Sequence, residues 1–289
     1  MTADLPLPAP SAGYDQEFLV TPVPFPVAPP QTPTRELPFT HFTVLLRPDR
    51  RLAVATGVNV DGAQLVELER GDDWHLDPRV PENQQTGPEV YDRNDLDRGH
   101  LVRRRDPVWG SAETAGQANI DTFTYVNAAP QAGPFNQDET LWAGLENYLL
   151  EHARVYQTRL SVFTAPVLDP DDPPYRGVAI PRLFWKIAAW ATRPEDDPAQ
   201  VTLAATGYVL DQTPQLDDID LETQRAVDAG DPPPLGPFVT FQVPIPDIAS
   251  LTGLDLGPLV AADRLPVPAP TAARSLRWTR LRSYEDIRR

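Results

Sequence analysis

Asp97-Arg98-Gly99-His100 places an imidazole two positions from a guanidinium. Such a pair could move a proton beside an anion. A histidine of ordinary pKa, about 6.5, is a neutral base near pH 7. Arginine grips phosphate or carboxylate with a planar fork. Alone, the four residues could equally be a turn. Their weight depends on Asn127-Ala128-Ala129-Pro130-Gln131, on Phe135-Asn136-Gln137, and on Trp142 with Glu146. A helix starting at Asn136 sets Trp142 and Glu146 one turn apart on one face. An Asn at a helix start caps it, or turns its oxygen outward to a hard cation, while the helix N-terminus favours a nearby phosphate. Packing would also account for Trp142, and a solvated ion pair for Glu146.

The elements that must position these groups follow from local pattern. Residues 1–38 are too rich in proline, from Pro6 to Pro38, for a regular helix or a central strand. This N-terminal arm should be extended, and Tyr14, Phe18, Leu19 and Val20 could anchor it. Residues 39–289 read as one mixed α+β domain. Strands are expected over His41–Leu46 and Leu52–Val60 around the turn at Pro48, and at Gln64–Leu68, Thr122–Val126, Leu160–Ala165, Leu183–Trp190, Val201–Val209 and Val239–Val243. Leu141, Leu145 and Leu149 mark a helix over about 137–154. Residues 70–96 read as loop, the acidic run 211–231 as solvated loop or short helix, and Arg274–Arg289 as a terminal helix.

Apolar residues make up 41% of the 289, enough for a real core, but no run approaches the roughly 18–20 apolar residues of a membrane helix. The N-terminus lacks a basic start followed by an apolar block, so a cytoplasmic protein, or one exported by a non-classical route, is expected. The absence of cysteine excludes disulfides and thiolate metal sites. A net charge of -16 opposes any partner bound by bulk electrostatics unless basic residues cluster locally. Lys186 is the only lysine, and every other basic residue is arginine or histidine.

The combined motif resembles the DNA/RNA non-specific endonucleases of the ββα-metal, or His-Me finger, superfamily. That family shows Asp-Arg-Gly-His, Asn-x-x-Pro-Gln, Asn-Gln and Trp-x-x-x-Glu, here Asp97 to His100, Asn127 to Gln131, Asn136-Gln137 and Trp142 to Glu146. Glu69-Arg70-Gly71-Asp72-Asp73-Trp74 resembles the stretch that supplies the family's first active-site arginine, and Phe184-Trp185-Lys186 matches its pattern. The resemblance spans about residues 40–250. It implies a ββα-metal core on a mostly antiparallel sheet flanked by helices. It also implies that His100 is the general base, that Asn136 is the direct ligand of Mg²⁺ or Mn²⁺, and that Glu146 holds metal-bound water. Arg98 and Arg70 would bind the phosphate, and Asn127 belongs to the implied site, where bonding to nearby backbone is its other reading. The implied substrates are DNA and RNA, with 5′-phosphorylated products.

Three departures bear on activity. Two extra residues separate Asn136 from Trp142, Leu150 stands where some members carry an active-site arginine, and His75 where some carry another. Arg103, Arg104 and Arg105 could restore the lost charge. His41, His75 and His152 read as structural. Two other functions stay open: a nucleic-acid-binding module weakened in catalysis, and a protein whose arm or acidic loop engages a protein partner. A nuclease with no export signal would also need restraint, so an inhibitor protein is an expected partner.

Overall fold

The computed structural model describes residues 13–133, 150–151, 153–193, 197, 199–214, 219–236, 239–265, 278–282 and 286–287. Twelve strands are found among them. They are β1 (Arg35–Phe39), β2 (Phe42–Arg47), β3 (Leu52–Asp61), β4 (Leu96–His100), β5 (Ala128–Ala132), β6 (Arg159–Pro166), β7 (Pro174–Tyr175), β8 (Val178–Ala179), β9 (Leu183–Thr192), β10 (Thr202–Asp211), β11 (Val239–Val243) and β12 (Thr279–Arg280). The helices are α1 (Pro88–Tyr91), α2 (Ala112–Thr122), α3 (helical at 150–151 and 153–156), α4 (Ile219–Ala229) and α5 (Ile245–Thr252).

Eight strands form one antiparallel sheet in the order β1-β2-β3-β6-β9-β10-β11-β12. Its middle strands are apolar on both faces because both faces are covered. In β6, Leu160 and Val162 face one side, while Phe163 and Ala165 face the other. Leu160 and Val162 join Val58, Val60, Phe184, Tyr208 and Leu210 in the core beneath the β4–β5 pair. Phe163 and Ala165 join Trp185, Ile187 and Val209 under α5 and the arm, where Leu19 and Val23 are buried. Each fully buried side chain of this size contributes about 1.5–3 kcal/mol relative to exposure. Pro38 lies in edge strand β1, where a missing N–H is tolerated. The described part of the arm is held by specific bonds: Tyr14 N–H donates to Thr43 Oγ1 and Asp15 N–H to Asn59 Oδ1.

The structure corrects three expected elements. Gln64–Leu68 is not a strand. Asp61 accepts from Ala63 N–H and from Gln64 Nε2, turning the chain, and only an isolated bridge from Leu65 to Trp109 remains. Thr122–Val126 is not a strand either. It ends α2 and enters a short 3-10 turn at Tyr125–Asn127. Its aromatic and β-branched composition reflects complete burial beneath the site rather than a ladder. At the C-terminus, Thr279–Arg280 pairs with β11, with Trp278 Nε1 donating to Asp247. Within the expected terminal helix, Thr279–Arg280 is therefore an edge strand. The acidic run contains α4. Helices α2 and α5, not expected from the sequence, are capped by Ser111 accepting from Thr114 N–H and by left-handed Gly253 after Thr252. Among the described residues no helix is long and apolar enough to cross a membrane.

Candidate active site

Strands β4 and β5 pair antiparallel, which brings two of the sequence motifs together: Asp97 opposite Gln131, Arg98 opposite Pro130, Gly99 opposite Ala129, His100 opposite Ala128. Glycine at 99 permits a close approach of the two strands. A Cβ there would collide with Cδ and Cγ of Gln131. Just past His100 the chain is clamped by Asn127, which is fully buried. Its Oδ1 accepts from Val102 N–H at 2.8 Å, and its Nδ2 donates to Val102 O at 2.9 Å and Thr122 O at 3.0 Å. All three bonds go to backbone, so Asn127 positions the strand that carries His100. A second clamp is Gln212, also fully buried. It accepts from Ala132 N–H at 3.0 Å and donates to Pro181 O at 2.6 Å, tying β5 to the end of β10.

The imidazole of His100 rests on an aromatic floor. Trp74 lies 4.7 Å from it, tilted by 50°, and Phe123 meets it edge-on at 5.2 Å. Backbone bonds place Trp74: His75 N–H donates to Phe123 O and Tyr125 N–H donates to His75 O. His75 itself is exposed and serves through its backbone. The guanidinium of Arg98 stands 5.3 Å over the Trp74 ring, a cation–π distance, with Asp72 at 3.8 Å. His100 Nε2 is buried without a hydrogen-bond partner among the described residues. Packing against Trp74 and Phe123 therefore contributes most of the visible constraint on the ring.

Electrostatics keep that ring neutral. Burial, followed by the charges of Arg70, Arg104 and Arg98, pushes the His100 pKa down to about 3. Arg104 is held in place by Leu68 O and Asn119 Oδ1, each at 3.1 Å. Arg70 is exposed on the loop beside it. The charges of three arginines thus act on one imidazole in a chain of net charge -16.

Asn136, Trp142, Glu146 and His152 lie outside the described residues, and among the described residues no group of three or more His, Asp or Glu could hold a metal ion. The cationic surroundings make the imidazole of His100 a poor direct ligand for a dication. The oxygen chemistry of Asn136 and Glu146 suits a hard ion. Leu150 is buried in the core, and His41 stacks on Trp109 at 3.5 Å while its Nδ1 donates to Pro107 O, a structural role. The sequence reading missed Trp74 as the floor and Gln212 as the clamp. A tryptophan in an Asp- and Gly-rich loop was the available signal for the first, and Gln212 gave none.

The chain is similar to known proteins. Residues 26–263 match the family described as DNA/RNA non-specific endonuclease. The uncharacterized protein y4fB of Sinorhizobium fredii (strain NBRC 101917 / NGR234) is 40% identical over 256 residues, covering 83% of this chain and 36% of its own length. The chain therefore spans about a third of that relative. A chain of the crystal structure of the EndoG/EndoGI complex, which concerns the mechanism of EndoG inhibition, matches with a TM-score of 0.52. It is 19% identical, over 76% of this chain and 84% of that one, a likeness of fold.

Proposed function

This chain belongs to the DNA/RNA non-specific endonuclease family, and from that premise we propose that it hydrolyses phosphodiester bonds of DNA and RNA with Mg²⁺ or Mn²⁺. One observation carries the reading: the His100 imidazole packs on Trp74, the Arg98 guanidinium stands over the same ring, and the charges of Arg70 and Arg104 also act on the imidazole. With a pKa near 3 the free imidazole is a weak base, but a phosphate bound by the cations offsets their charge and raises its basicity toward the working pH, while the same cations hold the anionic group that water attacks.

In this reaction His100 removes a proton from water as its oxygen bonds to phosphorus. The bond from phosphorus to the 3′-oxygen breaks and that oxygen takes a proton from solvent water, leaving a 5′-phosphate on one fragment and a 3′-hydroxyl on the other. Arg98, fixed over Trp74, and Arg70 bind the non-bridging oxygens and offset the charge that grows on them. Asn127 and Gln212 hold the β4–β5 pair in place. Asn136 would hold the metal directly and Glu146 through water, and the bound ion would neutralise charge on the transition state and leaving oxygen. The 2′-hydroxyl takes no part, so both sugars serve.

The test is degradation of plasmid and RNA with Mg²⁺, with and without EDTA. His100→Ala should lower kcat by about 10²–10⁴, the usual contribution of a general base; full activity in that variant refutes the mechanism. Burial of Leu150 in the core, in place of a cation at the site, favours a second reading, a binding module of weakened catalysis. Salt-sensitive binding of polynucleotide without cleavage would support it. An inhibitor protein remains the expected partner of an active nuclease in its own cell.

A further inference from the structure

A cavity of about 340 Å³ lies beyond the site, between the turn after β3 and the end of α3. Its wall includes Gly62, Glu67, Arg105, Leu150, Arg154 and Gln157. The backbone fixes its shape. Gly62 N–H donates to Thr158 O at 3.0 Å, Thr158 N–H donates to Ala153 O at 2.9 Å, and a Cβ on Gly62 would collide with Ala153 O. Two guanidiniums share the cavity, each set against an acid. Arg105 is 3.5 Å from Glu67, and Arg154 is 2.7 Å from Glu151. Both acids are well exposed, so each pair is weak and either carboxylate can move into water. A phosphate offers the two guanidiniums several oxygens at once, a better partner than two separate surface acids.

The cavity neighbours the site along the chain. Arg105 is five residues beyond His100, at most about 17 Å along an extended chain. A nucleic-acid strand covers that span in a few nucleotides, at about 3.4 Å of rise each. Arg104 fills the interval, bonded to Leu68 O on the loop that runs from Glu67 to Arg70.

We propose that Arg105 and Arg154 form a second anion subsite, which takes a backbone phosphate of the polynucleotide a few nucleotides from the phosphate that faces His100. The proposal rests on the nuclease reading and extends its substrate contact along the strand. It makes long polynucleotides better substrates than isolated diesters, because only a long strand fills both positions.

The experiment uses the full chain with Arg105→Gln and Arg154→Gln combined, and thermal melting to check the fold. Binding of a fluorescent single strand of about 12 nucleotides is followed in EDTA across salt concentration. The double variant should bind about tenfold more weakly at low salt, and its slope of log K against log salt should be shallower by about 0.7, the loss of one phosphate contact. With Mg²⁺, kcat/KM is compared for that strand and for bis(p-nitrophenyl) phosphate, which has a single diester. The ratio should fall about tenfold, and millimolar inorganic phosphate should compete with the strand more weakly in the variant. An unchanged slope and ratio, or equal losses on both substrates, would overturn the subsite. If the wild type cleaves neither substrate but the slope changes as expected, the subsite stands and the nuclease reading falls. If the double variant does not fold, Arg154→Gln alone carries the same slope and ratio tests.

Discussion

Two cavities open at opposite ends of β6, and they differ in charge: one pairs arginines with acids, the other is mostly acidic. Before its first residue lies the cavity shared by Arg105 and Arg154, on the His100 side. Past its last residue lies one of about 920 Å³ faced by Asp169, Asp171, Asp172 and Asp211, with Arg182 among them. At the acidic end burial outweighs the nearby Arg50, 2.9 Å from Asp172, and pushes that carboxyl up to about 6. At the other end burial and arginines push His100 down to about 3. Size is thus no guide to where a polynucleotide goes, because the larger cavity would repel it. Nor is the net charge of -16, because the field that a phosphate meets is set within about a Debye length, some 8–10 Å.

The contrast can be broken most directly at Arg98. Arg98→Ala should lower kcat/KM on polynucleotide by about 10²-fold, the scale of removing one donor that stabilises transition-state charge; a loss under threefold would place the phosphate elsewhere. The next effect is at the floor. Trp74→Ala should lower kcat/KM about tenfold, an order of magnitude set against the 10²–10⁴ of a positioned base. It should also move the acid limb of the pH profile. The packed imidazole stays neutral down to about pH 3. Exposing it lets its pKa rise toward 6.5, so the variant should lose activity as pH falls through 6, where the wild type does not. Trp74→Phe should restore most of both, and an unmoved acid limb would show that the ring does not shield His100.

A smaller effect is expected in stability. Gly99→Ala should cost about 1–3 kcal/mol by overpacking against Gln131, read by denaturant unfolding, and Gln131→Ala in the same chain should recover part of it. The smallest belongs to the acidic end. Asp171→Asn, at an exposed position, should change cleavage less than twofold at moderate salt. A tenfold gain there would show that the acidic cavity, rather than the arginine tract, governs association.

Much of the frame was legible beforehand. β2, β3, β6, β9, β10 and β11 appeared as apolar or alternating runs, because burial on one or both faces writes itself into successive residues. Asp97 to His100 was legible as chemistry and turned out to be a strand. Its pairing with Ala128 to Gln131 was not readable from either segment. Thr122–Val126 misled for the same reason: buried residues look like strand residues whether or not a ladder forms.

By itself the chain's order of residues determined the chemical groups on offer: an imidazole beside a guanidinium, an oxygen donor set of Asn136 and Glu146, arginine in place of lysine, and no thiol. Only the tertiary structure decided what surrounds them. It laid Trp74 under His100, brought Arg70 and Arg104 to the same base, and tied β5 to Gln212, some 80 residues away. Side-chain identity and alternation are local properties of a chain. The pKa of a base and the field at a phosphate depend on groups brought close by sheet register and loop packing, which no single segment encodes.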